Sequence, residues 1–291
     1  MKGLILFSYN MLEKRSHLPY FYEHLFHGRV PQGYVENKMS TYERFGVTDP
    51  LTHYTLSIVR ALTTETLRVY HGCKHSTPFV EDAVAQAVAD GCEQVYTLAL
   101  SPFISKTGTI SYEQKVQKYL RQHAPHIEMI SLNGYSIQQA FITLLVTRLE
   151  EAMHYIDHPT PTIIFTSHSL PGTEQSNSDF IRQYEALAAE VMHKLQYAYR
   201  YRLAYRSVGP ASQKWLRPDI YSVIDEEYAR GTEAIVVCEL LSIVENMEVI
   251  EEIGQQANER AHMLGMEFIQ MRYLNDSYEF VSFLKQLIKE H

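Results

Sequence analysis

Three kinds of side chain stand where their chemistry could be used. His168 directly follows the apolar run 161–167, inside Phe165-Thr-Ser-His-Ser-Leu-Pro171. A neutral imidazole can take a proton or bind a metal near pH 7; a histidine at a strand end can equally be a hydrogen-bonded loop residue. Glu245 and Glu248 follow the apolar run 234–240, where carboxylates can accept protons or guide a divalent cation. Glu248 and Glu252 are four residues apart and share a helix face, where like charges repel by a few tenths of a kcal/mol. A solvated acidic face is the other reading, and it suits Glu251, Glu252 and Glu259 best. Tyr9 ends the first apolar run. A phenol there can stack on, hydrogen-bond to or ligate something; burial with a satisfied hydroxyl is the simpler account. There is no GxGxxG, P-loop, HExxH or GxSxG, which disfavours dinucleotide, ATP and serine-hydrolase chemistry.

These residues need a scaffold that brings strand ends together. Apolar runs at 3–9, 67–71, 94–100, 127–132, 161–167, 201–206, 234–240 and 266–272 read as buried strands, four in each half. Helical patterns separate most of them, which implies parallel βαβ units with right-handed crossovers. In such sheets ligands collect beyond the carboxyl ends of the strands. One helix carries its own signals: Thr77 as cap, Pro78 in the first turn, a stripe through Phe79, Val80, Ala83, Val84, Ala87 and Val88, and Gly91 as stop. A helix over 137–155 bridges the halves, His158-Pro-Thr-Pro161 breaks the chain, and a last helix over 277–289 packs on one half or the other. The expected fold is α/β, with two similar Rossmann-like domains at 1–145 and 146–291. Each is a four-stranded parallel sheet flanked by helices.

Composition narrows the partners. The chain has 291 residues and a formal net charge of -8, with no basic block, so nucleic acid is not expected. With 45% hydrophobic residues it can bury a large core. Its 21 tyrosines against one Trp fit half-buried surface, or a cleft for a flat aromatic ligand. Cys73, Cys92 and Cys238 form no CxxC pair and read as reduced, buried thiols. The start, MKGLILFSYN, lacks signal-peptide features, and no run is long enough for a transmembrane anchor, so a cytoplasmic protein is expected.

Several of these segments together resemble the ferrochelatase family. The stretch from Phe165 to Pro171 resembles its S-x-H-[SG]-x-P signature, and Ser207-Val-Gly-Pro-Ala-Ser-Gln-Lys-Trp-Leu-Arg-Pro-Asp219 a second signature, a Gly-containing loop before W-L-x-P. Lys74-His-Ser-Thr-Pro-Phe-Val-Glu-Asp-Ala-Val84 looks like the bacterial segment, and Tyr22 with His27-Gly-Arg29 and Pro31 like the porphyrin mouth. Glu245-Asn-Met-Glu-Val-Ile250 occupies the place of D-H-x-E-x-L. The resemblance spans nearly the whole chain and is nearest to the soluble bacterial type that acts on coproporphyrin.

It implies insertion of Fe2+, as substrate, into a porphyrin held between two Rossmann-like halves. No tightly bound cofactor is expected, and the working unit is a monomer. By resemblance His168 and Glu248 are catalytic; His168, Glu248 and Glu252 are the metal ligands; and Tyr9, Tyr22, Arg29, Tyr112 and Trp215 bind the substrate, with Tyr112 anchoring its carboxylates. The sequence departs from the pattern at Asn246 (for His), Gln256 (for the third outward carboxylate), His27 (for a stronger base) and Asp49 (for Ser, repelling a propionate). A weakened porphyrin- or haem-binding homologue, or a chelatase for another metal or tetrapyrrole, are the alternatives.

Overall fold

The structure, a computed structural model, describes residues 1–45, 49–195, 198–209 and 213–291. Strand β1 (Lys2–Ser8) leads into three helices, α1 (Leu18–Leu25), α2 (Tyr34–Phe45) and α3 (Pro50–Leu62), before β2 (Leu67–Cys73). Then follow α4 (Val80–Ala89), β3 (Gln94–Ala99), α5 (Thr109–His123) and β4 (Glu128–Ser131). Helix α6 (Gln139–Met153) crosses to β5 (Thr162–His168), α7 (Ser178–Lys194), β6 (Tyr201–Arg206), α8 (Ile220–Ala229) and β7 (Ala234–Glu239). One helical turn, α9 (Met247–Val249), runs without a break into a π-helical stretch, Ile250–Ala257, and then α10 (Asn258–Met263). Strand β8 (Glu267–Gln270) and α11 (Tyr278–Lys289) complete the chain.

Two four-stranded sheets result, ordered β2-β1-β3-β4 and β6-β5-β7-β8, and every pairing is parallel. Each expected apolar run holds a strand, with ends moved by one or two residues. Strands buried on both faces read as continuous apolar runs, which is why they were visible in the sequence. The two halves share one order, as expected of similar Rossmann-like units.

Alternation of side chains sorts these strands into layers. On β1, Leu4 and Leu6 face one core and Ile5 and Phe7 another. On β5, Ile163 and Phe165 face the first core and Ile164 a third. The first core is common to both sheets, running from Leu4 through Phe141 and Leu145 of α6 to Phe165 and Phe280. The boundary expected between 145 and 146 falls inside α6. Helix α11 returns to the N-terminal half, with the Phe283 ring 5.7 Å from Tyr135 and 5.7 Å from Phe141. Among the described residues no helix is long and apolar enough to cross a membrane.

The start of α4 differs from expectation. Cys73 N–H donates to the Pro78 carbonyl, and Cys73 and Phe79 form a parallel bridge, so the chain stays extended through Phe79. The helix therefore begins at Val80, and its cap is the Phe79 N–H donating to the Asp82 carboxylate at 2.8 Å. Thr77 lies outside it. Gly91, at φ +76°, ends the helix as expected.

Helix α4 lies so close to β2 that Gly72 is needed between them. A Cβ on Gly72 would stand 3.0 Å from Val80 Cα and 3.2 Å from Ala83 Cβ. Gly72→Ala is expected to lower stability by about 1–3 kcal/mol through overpacking. A urea midpoint equal to that of the unaltered protein would show that the helix can move away freely.

Candidate active site

Register decides which side chains reach the rim of the second sheet. His168 on β5 lies beside Arg206 on β6, and Thr166 on β5 lies beside Glu239 on β7. By alternation all four share the face that Ile164, Ala204 and Val237 fill deeper down. Glu239 is 3% exposed, and both its oxygens are engaged. Oε1 accepts from the N–H of Leu241 (3.2 Å) and of Ser242 (3.0 Å); Oε2 accepts from the Thr166 hydroxyl (2.7 Å) and Arg206 Nε (3.1 Å).

Arg206 is 2% exposed and spreads its other nitrogens over the rim. Nη2 donates to Ser242 Oγ at 2.7 Å. Nη1 donates to Ser207 Oγ (3.3 Å), Glu248 Oε2 (3.4 Å) and Glu252 Oε2 (3.3 Å). Burial disfavours the guanidinium, but Glu239, Glu252 and Glu248 outweigh it and hold it charged. The surrounding protein strips water from the half-exposed Glu248 and pushes its carboxyl up, and the positive charges of His168 (when protonated), Arg206 and Lys38 more than reverse this, keeping it below the usual range.

The His168 ring is fixed from behind. Its Nδ1 lies 2.6 Å from the Ser169 carbonyl, which can only accept, so Nδ1 carries the proton. In the neutral ring Nε2 is then the acceptor, 3.8 Å from Glu248 Oε2, and in the charged ring it faces that carboxylate as a donor; both side chains are partly open to solvent. Two acceptors aimed at each other in this way gain by sharing a proton or a cation. The loop behind His168 is tied to the segment carrying Trp215: Ser169 Oγ donates to the Leu216 carbonyl, and Leu216 N–H to the Leu170 carbonyl. The Trp215 indole lies against Gly209, where a Cβ would come within 2.1 Å of it. Residues 210–212 of this signature loop lie outside the described residues.

The opposite wall comes from the first half. Tyr9 follows β1, is 39% exposed, and rests on His75 (ring centroids 4.9 Å apart) and Phe21 (5.9 Å). Burial, and then the negative charge of Glu248, raise its phenol, so it stays protonated at neutral pH. Tyr22 is buried in α1 within an apolar cluster that includes Tyr42 and, from across the site, Met247. Arg29 is exposed beyond a left-handed turn, His27 at φ +51° and Gly28 at φ +77°, and makes no ion pair with another described residue. Helix α2 reaches over to the π-helical stretch, where Glu251 accepts from Lys38 (2.8 Å) and Thr41 (3.1 Å).

The structure thus brings together Tyr9, Tyr22, His168, Glu248 and Glu252, with Trp215 supporting the histidine loop. Two residues do not line the open site. Tyr112, expected to anchor substrate carboxylates, is buried in the core of the first half, stacked on Phe7 at 4.9 Å, though near enough to Tyr9 to help raise its phenol. Glu245 lines a separate cavity of about 510 Å³ with Tyr54, Arg148 and Arg272. Asn246 caps α9, its Oδ1 accepting from Val249 N–H at 3.1 Å, and Gln256 accepts from the Tyr221 hydroxyl at 2.7 Å. Arg206 and Glu239 were missed. The available signal was a charged residue at the carboxyl end of each buried strand.

A family model described as "Ferrochelatase" matches residues 4–291. A "Ferrochelatase" from Herpetosiphon aurantiacus is 26% identical over 297 residues, covering 98% of this chain and 97% of the relative. A "Coproporphyrin III ferrochelatase" from Halalkalibacterium halodurans is 25% identical over 300 residues, covering 99% and 96%. Among solved structures, SirB from Bacillus subtilis with Fe3+ superposes with a TM-score of 0.61 at 9% identity, over 99% of this chain and 94% of that one. CbiX, described as the terminal enzyme of siroheme biosynthesis in denitrifying bacteria, gives 0.53 at 8%, over 99% and 98%. These two likenesses concern the fold.

Asp49, expected to repel a propionate, is instead 3% exposed and caps α3. It accepts from Leu51 N–H (3.1 Å) and the Tyr42 hydroxyl (3.3 Å), and burial pushes its carboxyl up to about 6. A carboxyl that binds its proton more tightly when folded supports stability at low pH. That support is lost as pH rises from the unfolded value of 3.8 through about 6. Asp49→Asn keeps a capping oxygen and removes the charge. It is expected to stabilise the protein near pH 7.5 by about 2 kcal/mol, with the gain fading near pH 4. Urea unfolding at both pH values checks this; an equal effect at both would assign it to packing.

Proposed function

This chain belongs to the ferrochelatase family, and from that premise we propose that it inserts Fe2+ into a porphyrin, with coproporphyrin III as the favoured substrate. The observation that carries the reading is the bare Nε2 of His168 facing Glu248 across 3.8 Å at the rim of the second sheet. Metallating a free-base porphyrin releases two pyrrole protons, so a base must stand beside the ring. His168 Nε2 takes them one at a time, passing each on by way of the Glu248 carboxylate to water so that the nitrogen is free again, while the Ser169 carbonyl keeps the imidazole oriented. Fe2+ must also shed water before entering the macrocycle. Imidazole and carboxylate replace that water stepwise, and two protein donors leave enough positions free for the pyrrole nitrogens.

Tyr9 meets the other face of the macrocycle as a neutral phenol. Tyr22 and Trp215 shape the aromatic walls, and exposed Arg29 offers a bidentate contact to a propionate. Burial lowers His75, and the positive charges of Lys74, His24, Lys115 and His27 lower it further, so this wall of the site carries several basic groups. Such a rim suits coproporphyrin, which has twice the carboxylates of protoporphyrin, and relatives of this chain are coproporphyrin III ferrochelatases. The reading needs no tightly bound cofactor and takes a monomer in the cytoplasm as the working unit.

An anaerobic absorbance assay with Fe2+ and either coproporphyrin III or protoporphyrin IX tests it. A Soret shift to the iron product with turnover is expected, faster with coproporphyrin III. His168→Ala should lower kcat about a hundredfold or more, and Glu248→Gln at least about tenfold, with porphyrin binding retained. Tight porphyrin binding by the unaltered protein without turnover would make it a carrier instead.

A further inference from the structure

The acidic residues near His168 are not equivalent. Glu245 faces another cavity, and Glu251 is held by Lys38 and Thr41. Glu252 has both oxygens engaged: each lies 2.7 Å from Ser207 Oγ, and Oε2 also accepts from Arg206 Nη1 at 3.3 Å. Ser207 reaches it from φ +55°, a left-handed backbone that residues with a side chain rarely adopt. One turn further out, Gln256 is neutral and bonded to Tyr221. Glu248 shares the same Arg206 Nη1 through Oε2, at 3.4 Å, but its side chain is about half exposed and its Oε1 accepts from no other described residue.

We propose that Arg206 is a resident counter-cation that closes the outward carboxylate line to divalent metal, so that Glu252 is not a metal ligand and a single ion is taken up, at His168 and Glu248. The guanidinium cannot swing aside into water, because its side chain is only 1% exposed and its Nε and Nη2 are held by Glu239 and Ser242. A divalent ion at Glu252 would have to displace the Ser207 hydroxyl from both oxygens beside that fixed positive charge, whereas Glu248 offers its unbonded Oε1. The line 248, 252, 256 thus reads as one carboxylate with a free oxygen, one with both oxygens engaged and one amide. Metal reaches the inner pair directly from solvent rather than by passing along the helix. Only the identity of the inner pair rests on the proposed function.

Calorimetric titration of the full-length protein with Co2+, without porphyrin and with the visible spectrum of bound cobalt recorded, tests this. Glu252→Gln should bind the same single Co2+ as the unaltered protein, with affinity within about twofold. Arg206→Gln should gain a second Co2+ and lose it again when combined with Glu252→Gln, and Arg206→Lys should stay at one. A loss of Co2+, or at least about tenfold weaker binding, in Glu252→Gln would overturn the proposal. So would an unchanged stoichiometry in folded Arg206→Gln. Should Arg206→Gln fail to fold, Glu252→Gln in the native background decides the matter alone. His168→Ala reports separately on the inner pair.

Discussion

A buried ion pair organises the site. Arg206 ends β6 and Glu239 ends β7, and they meet diagonally across β5 with both side chains 1% exposed. Charges so far from water are tolerated only when each is paired and hydrogen-bonded, and breaking one half of such a pair costs about 3–5 kcal/mol. Here Thr166, Ser242 and two backbone N–H groups supply the remaining bonds. The pair therefore fixes three strand ends, the loop after β7 and the first carboxylates of the following helix relative to one another. His168 lies beside Arg206 in the same register, so its position follows from the same constraint.

Around this anchor the fold uses one plan twice and varies it once. Both sheets have the same strand order, and in such sheets ligands bind at the carboxyl ends where the order reverses. Tyr9 stands at that place in the first half and His168 in the second. The variation is the first crossover, which carries α1 and α2 in addition to α3. These two helices reach the other half through Met247 and Glu251, enclosing the space between the phenol and the imidazole with aromatic rings. The helix they touch is π-helical, with Asn258 N–H bonding back to Ile253. In an α-helix four residues overshoot a turn by roughly 40°; the wider π turn keeps residues 248, 252 and 256 more nearly in line.

Much of this was legible in the residues. The central strands are buried on both faces and apolar, and the edge strands, though partly exposed, keep enough apolar residues that all eight could be read; the His168 and Glu248 positions followed from the strands they trail. What stayed hidden depended on distant partners. Arg206 and Glu239 are 33 residues apart, and no local pattern tells a lone charge at a strand end from a solvated one. Tyr112 read as a mouth residue, but the ring it stacks on, Phe7, comes from the far end of the chain's first half. Thr77 is a good cap by type, yet the bridge between Cys73 and Phe79 keeps the chain extended past it. A π turn has no signature in a single sequence, and residues 248 and 252 read as an ordinary repelling pair.

The return of α11 to the first half has a consequence for synthesis. Phe280 and Phe283 belong to the apolar cluster that also holds Leu4, Leu6 and Tyr135. The helices that cover one face of the first sheet, α3 and α6, are therefore covered in turn by a segment that follows the last strand of the second half. Until α11 has been made and docked, the apolar outer faces of α3 and α6 stay open, so the first half gains its full cover only after the second half has been synthesised.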